Sequence, residues 1–160
     1  RVDFRKIDEI IRKQFTYVDE GVIDIFSMGF ARLVGNSNKS SVKIDMFYTD
    51  PYIREFIETE GIRMASVEDI AAMKLEVILR AGRKKDFWDI HQLMESYSLE
   101  ELLILFGERY PYHREEDLLD GLTTFSDADN QLDPICLKGK FWELIKYDIE
   151  EIVKKYRASH

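Results

Sequence analysis

In this chain of 160 residues, only residues 21–34 and 41–50 carry apolar side chains at a period of two; on either side the spacing is three and four. That imbalance constrains the fold more than any other feature, because a period of two marks strands and a period near 3.6 marks helices. Val22, Asp24 and Phe26, then Val42, Ile44 and Met46, follow the strand period, and "GNSNKS" between them supplies turn chemistry. The sequence therefore predicts one β-hairpin in an otherwise helical chain. Two strands are marginal as a sheet, since three or more are normally needed to bury a face. Strands from upstream of Arg1, or a second copy in a homo-oligomer, are expected to complete it.

The helices read more directly. "DFRKIDEIIRKQF" sets Phe4, Ile7, Ile10, Ile11 and Phe15 on one stripe, with Asp3 as the cap. After Pro51, "YIREFIETEGIRMAS" reads as a short helix and then a short extended piece, "GIRMA". Ser66 and Asp69 have the spacing of a capping box, with Asp shorter than the preferred Glu or Gln, and open a helix that runs to Arg80 and breaks at "AGR". Further helices are expected over residues 84–97, from Ser98 with Glu101 to Pro111, over 113–123, and from Phe141 onward. The last carries Phe141, Leu144, Ile145, Ile149, Ile152, Val153 and Tyr156 on one stripe, and "FSDADNQLDPICLKG" before it reads as a polar linker. The fold class is α+β. A helix and hairpin over residues 1–50 precede a helical bundle over 51–160, packed on it as one compact unit.

Composition narrows the partners. With 31 acidic against 23 basic side chains the net charge is −8, so the molecule repels polyanions and a broad DNA-coating role is excluded. Cys136 is the lone cysteine, so neither an internal disulfide nor a zinc-spaced pair can form. No run approaches the ~18 apolar residues of a membrane span, and residues 1–15 lack the apolar centre of a secretory signal. A reducing cytoplasm is expected. The chain opens on Arg1 and not Met, so residues upstream are expected too.

Charged residues in unusual places mark the candidate chemistry. In "SVKIDMF", Lys43, Asp45 and Phe47 share one strand face. They form either a solvated outer face or a metal-binding or basic carboxylate beside a phosphate-binding lysine. On the helix after Ser66, Ile70, Met73 and Val77 make an apolar row that Leu75, Ile78 and Leu79 widen, leaving Lys74 flanked by hydrocarbon. A lysine there needs a partner. Either it ties two helices together through Asp86 or Asp89, or it projects into a cleft and holds a phosphate. Arg80 and Arg83 suit a helix C-terminus, but Lys84 and Lys85 begin the next helix, so this cluster points to a phosphate or nucleic-acid ligand. His91, with no second ligand at metal spacing, reads as a packing or surface histidine, and Trp88 and Trp142 read as core anchors.

Taken together, "VKIDMF", "GIRMASVEDIAAMKLEVILR" and "RKKDFWDIHQLM" resemble the later motifs of the AbiEii/AbiGii-type nucleotidyltransferases, toxin members of bacterial abortive-infection and toxin–antitoxin systems. The resemblance spans roughly residues 3–105 and is strongest over 61–95. It implies a polymerase-β-like core that moves a nucleoside monophosphate from an NTP to an acceptor such as tRNA, with Mg²⁺, and an antitoxin partner. Asp45 matches the family's third metal-binding acid and Lys43 the lysine before it. Lys74 matches the lysine expected on nucleotide phosphates, and Asp69, Asp86 and Asp89 match the supporting acids; the basic cluster of Arg80, Lys84 and Lys85, read from its charge and not from the family pattern, adds candidate nucleotide-binding residues. The family's Gly-Ser and Asp-x-Asp strand, which carries the other two acids, does not occur in residues 1–160. One carboxylate cannot hold two metal ions, so the chain taken by itself is expected to be inactive. The alternative is a non-catalytic interaction module that binds a protein such as an antitoxin.

Overall fold

A computed structural model describes residues 2–21, 23 and 28–160 of the chain. Its contacts fall into two units, Arg1–Thr49 and Asp50–His160.

In the first unit the Asp3 carboxylate accepts the backbone N–H groups of Arg5 and Lys6 and so opens α1 (Phe4–Gln14). The chain continues into β1 (Tyr17–Val18), β2 (Gly29–Ser37) and β3 (Ser40–Phe47), an antiparallel sheet of order β1-β2-β3. β3 is the strand that the alternation of Val42, Ile44 and Met46 predicts, and it pairs with β2 in a hairpin whose turn falls at residues 38–39, at the end of the expected "GNSN", because Gly35–Ser37 still belong to β2. The two-residue β1 is a third strand that the sequence did not signal. Val22, Asp24 and Phe26 lie outside the described residues.

α1 packs on β1 and β2, with Ile11 buried beneath it, Val34 fully buried on the sheet and Phe4 set edge-on against Phe30 and Tyr48. Arg32, 5% exposed, is held by Asp8 at 2.7 Å. Burial pulls the Asp8 carboxyl upward, but hydrogen bonds from Arg32 and Arg12 outweigh it and leave the group below its ordinary value. Val42 departs from expectation. It pairs with Val34 across the hairpin yet is 65% exposed, because the helix covers β2 and leaves this end of β3 open.

The second unit begins with a correction. The stretch after Pro51 forms no helix; the expected extended piece is β5 (Ile62–Met64), and it pairs with β4 (Ile57–Thr59) in a hairpin. Its tip is Glu60-Gly61, both at positive φ (53° and 75°), the backbone that matches the twist of a two-residue hairpin turn. Glycine at Gly61 removes half the steric cost of that turn.

Six helices follow: α2 (Val67–Leu79), α3 (Lys84–Leu93), α4 (Leu99–Arg109), α5 (Glu115–Leu122), α6 (Ser126–Asp129) and α7 (Trp142–Ser159). None of the described helices is long and apolar enough to cross a membrane. α2 is central, packed by α3, α4 and α5. It buries Leu75 and Ile78, as expected of the wider arc, together with Ala71 and Ala72, while Ile70, which opened the expected row, is 43% exposed. Two alanines let neighbouring helices approach, and three neighbours rather than one set the buried arc. α2 ends where Ala81 takes φ 106° and Gly82 lies so close to Ile78 that a Cβ would collide with it.

α7 also differs from the stripe read in the sequence. Its buried row is Trp142, Ile145, Ile149 and Val153, whereas Phe141 is 58% exposed. Trp142 takes the inner position because it stacks on Trp88, with centroids 5.5 Å apart, and meets Phe87 and Phe125. The acidic stretch before α7 is more than a linker. Asp129 accepts the Trp142 indole N–H at 2.6 Å, and the Gln131 side chain accepts the backbone N–H of Lys84. The molecule is thus α+β, with a helix and small antiparallel sheets ahead of a mostly helical part.

Candidate nucleotide-binding site

Strand alternation puts Lys43, Asp45 and Phe47 on the face of the sheet away from α1. Lys43 Nζ lies 2.7 Å from Asp45 Oδ1, with the side chains 60% and 52% exposed. Opposite Asp45 on β2 is the small Ala31, which leaves the carboxylate uncrowded. This pair is open to solvent, and both of its members stand on one strand.

Lys74 is arranged differently. Its ammonium meets Asp86 Oδ1 at 3.0 Å and Asp89 Oδ2 at 2.6 Å, which ties α2 to α3. Asp86 is 1% exposed and fully engaged, since its other oxygen accepts both the backbone N–H and the Nε of Arg83 at the start of α3. Burial acts to lower the Lys74 ammonium, but the hydrogen bonds it donates to Asp89 and Asp86 prevail and raise it above the usual lysine range. Asp86 answers in the opposite sense: burial pushes it up, and Lys74 with Arg83 brings it below its ordinary value. Asp89 makes the shorter contact but is half exposed, so it is the partner that water can reach.

The basic cluster divides. Arg80 is 70% exposed and pairs with Glu76 one turn back on α2. Lys85 is exposed and has no ion pair among the described residues. Lys84 turns inward: it is 5% exposed, bonded to Asp133 at 2.9 Å, and sits over the Trp142 ring. The charge offered to solvent at this turn is therefore that of Arg80, Arg83 and Lys85. Asp69 is wholly buried. It accepts from the backbone of Ile53 and Arg54, from the Ser66 hydroxyl, and from Arg109 at 2.6 Å. Its carboxylate is thus spent on the segment ahead of α2 and does not close a capping box. Among the described residues no three His, Cys, Asp or Glu side chains converge as a metal site, so Asp45 offers a single carboxylate and the donors present do not fit a two-metal centre.

Sequence reasoning missed Arg109. The signal was there: it follows Leu105 and Phe106 by four and three residues on one helix face, the same embedding in hydrocarbon that singled out Lys74. His91, read as a packing or surface residue, is 11% exposed and bridges Asp148 on α7 to Lys140, at 2.8 and 2.9 Å.

The sequence of residues 3–149 matches the family described as nucleotidyl transferase AbiEii toxin, type IV TA system. The chain belongs to this family, over a longer span than the motifs alone suggest. It is also 31% identical over 102 residues to an uncharacterized protein of Aquifex aeolicus (strain VF5), a match covering 60% of this chain and 47% of that relative. The chain thus spans about half the length of that relative. No solved structure matches.

Proposed function

We propose that this chain is part of a nucleotidyltransferase that moves a nucleoside monophosphate from an NTP to an acceptor, for which tRNA is the candidate, with a protein antitoxin as its partner in the cell. Family membership sets the class. One observation carries the site. Of the acids weighed as catalytic or supporting, Asp69 and Asp86 are fully engaged in the interior, while Asp45 is half exposed and held by one exposed lysine. A carboxylate so placed can exchange its partner for a metal ion or a proton at little cost, since exposed ion pairs contribute only about 0–1 kcal/mol.

In this reading Asp45 serves as one Mg²⁺ ligand or as the base, and Lys43 beside it meets phosphate. Lys74 joins the nucleotide by releasing Asp89 while Asp86 keeps it oriented; Arg80 and Lys85 add surface charge, and Lys84 supports α3 from within. The remaining metal ligands are not among the described residues, and the chain alone is expected to bind nucleotide without turning it over.

The second reading, a non-catalytic interaction module, draws on the same geometry: Lys74 already has two carboxylates, and no metal cluster is present among the described residues. Titrating an isotopically labelled sample with an NTP and Mn²⁺ separates the two. Paramagnetic broadening at residues 43–47 together with shifts over 74–89 supports the transferase. If neither region responds, the module reading stands.

A further inference from the structure

Residues 50–56 form neither helix nor strand, yet the buried pair of Asp69 and Arg109 fixes them on both sides of Tyr52. Arg109 donates to the carbonyls of Asp50 and Pro51, and Asp69 accepts the backbone N–H groups of Ile53 and Arg54. The Arg109 guanidinium also sits over the Tyr52 ring, 5.0 Å from its centroid. Because Arg109 is buried and Tyr52 is 54% exposed, the ring surface that water reaches is turned away from that guanidinium. An aromatic side chain on irregular backbone is thus presented to solvent by a pair that the interior cannot release.

The ring lines a cavity of about 360 Å³ together with Phe56, Arg63, Met64 and Ala65. Phe56 is half exposed and lies under the Arg63 guanidinium, at 5.1 Å. Arg63 stands directly across from Glu58 in the β4–β5 hairpin, where opposite charges ordinarily pair. It makes no ion pair among the described residues and covers the Phe56 ring instead. The cavity therefore combines two aromatic rings with one uncompensated positive charge.

We infer that this cavity binds one unpaired nucleobase of a single-stranded nucleic acid, stacked between Tyr52 and the face of the Arg63 guanidinium, whose edge donates to the adjoining phosphate. Every base has a flat π-face, and aromatic rings and guanidinium planes are the side chains that stack on it. The volume lies at the small end for ligand cavities and suits one nucleotide. Charge selects the form of that nucleotide. A strand carries one phosphate per base, which Arg63 matches, whereas a free triphosphate would stay largely unneutralised here. Glu58 and Glu60 on the same hairpin, and the net charge of −8, confine the contact to a single nucleotide. The inference does not depend on turnover: a strand that binds here while residues 43–47 ignore Mn²⁺ would keep it and lose the transferase reading.

The test titrates the isotopically labelled full chain with a short single-stranded oligoadenylate, and with the same backbone stripped of its bases, following chemical shifts. Shifts should concentrate at residues 52–56 and 63–65, and the intact strand should bind roughly tenfold tighter than the abasic one, the contribution of one stacked base. Its affinity should fall with salt at a slope of about 0.7, one phosphate's share of released counterions. Tyr52→Ala should weaken the intact strand roughly tenfold and leave the abasic one unchanged, while Arg63→Gln should weaken both. Equal binding of the two strands by the parent overturns the inference, as does no binding, or a proline-rich peptide that occupies these rings in the strand's place. Those readings need no variant, so they decide the matter even if Tyr52→Ala fails to fold; an unchanged affinity in a folded Tyr52→Ala chain overturns it as well.

Discussion

Two ion pairs, one in each unit, have nearly the same geometry and opposite physical meaning. Lys43 and Asp45 meet at 2.7 Å on the open face of β3, and Arg109 and Asp69 at 2.6 Å between α4 and α2. The first pair is more than half exposed and the second is 0% exposed on both sides. In water the exposed pair gains little from its contact and can be dissolved without structural loss. The buried pair already carries its desolvation cost, so removing either partner strands the other. Distance therefore says nothing about role; burial does. A residue that must trade partners during a reaction belongs to the first kind, and one that must never let go belongs to the second.

The largest effect should come from breaking the buried pair. Arg109 also donates to the backbone carbonyls of Asp50 and Pro51 and to the Tyr110 hydroxyl, so it anchors the segment that leads into the β4–β5 hairpin. Arg109→Met should destabilise the second unit by about 3–5 kcal/mol, read as a lowered midpoint in urea unfolding followed by tryptophan fluorescence. A change under about 1 kcal/mol would show that Asp69 is satisfied without it and would erase the contrast between the pairs.

Acid should find the same weakness. In Asp69 burial acts upward, yet hydrogen bonds from Ile53, Ser66 and Arg54 and the charge of Arg109 hold the carboxyl below its ordinary value. Asp86 is lowered in the same way. A lowered folded value means that the stabilisation is complete above the unfolded value of about 3.9 and is lost as pH falls through the folded one. Stability should therefore stay level on this account from neutral pH down to about pH 4 and fall steeply below it. Lys74 runs the other way: raised in the folded state, it stabilises below the usual lysine range and loses that contribution as pH climbs through its folded value. Urea midpoints across pH 2–11 would show both limbs, at about the positions given by ordinary carboxylate and lysine values. A flat acid limb would mean that neither carboxylate is held as described.

How much of this was legible in the sequence depends on the range of the interaction. Asp3 capping α1, the Ser98–Glu101 box that opens α4 and the strand β3 with a turn ahead of it are local, and each is legible in residues a few positions apart. The role of Asp69 was not legible, because its partner stands forty residues on, and Lys84 looked like a surface cation because Asp133 and Trp142, which neutralise and cover it, lie as far away. The β4–β5 hairpin was missed for a different reason: Glu60 takes a left-handed backbone that glutamate rarely adopts, so the turn lacks its usual residue pair. At the candidate site, motif resemblance named Lys74 with Asp86 and Asp89, and the structure brings all three together. The family pattern did not distinguish which of the two acids could let go.

Lys74 lies between the extremes, 28% exposed, with one buried and one half-exposed acid. Asp86→Ala should cost about 1–3 kcal/mol, since it leaves Lys74 with the half-exposed Asp89 alone and the first turn of α3 without its acceptor. Asp89→Ala should cost less than about 1 kcal/mol. Both are measured in the same urea titration, and equal losses would contradict the proposal that Asp89 is the partner Lys74 gives up.

The smallest stability effect is expected where the functional effect should be greatest. Among the described residues the ion pair of Asp45 is with Lys43, both are more than half exposed, and the small Ala31 stands across the strand. Asp45→Asn keeps the shape and removes the charge, so the urea midpoint should stay within about 0.5 kcal/mol of the parent. In the transferase reading, the same change should abolish Mn²⁺ broadening at residues 43–47, because an amide is a far poorer ligand for a hard cation than a carboxylate. Lys43→Ala separates charge from position: it frees the carboxylate from its neighbour and should strengthen Mn²⁺ binding while weakening that of the nucleotide. If Asp45→Asn instead unfolds the first unit, the carboxylate is structural after all. The two ion pairs then differ only in exposure, and the site loses its candidate metal ligand.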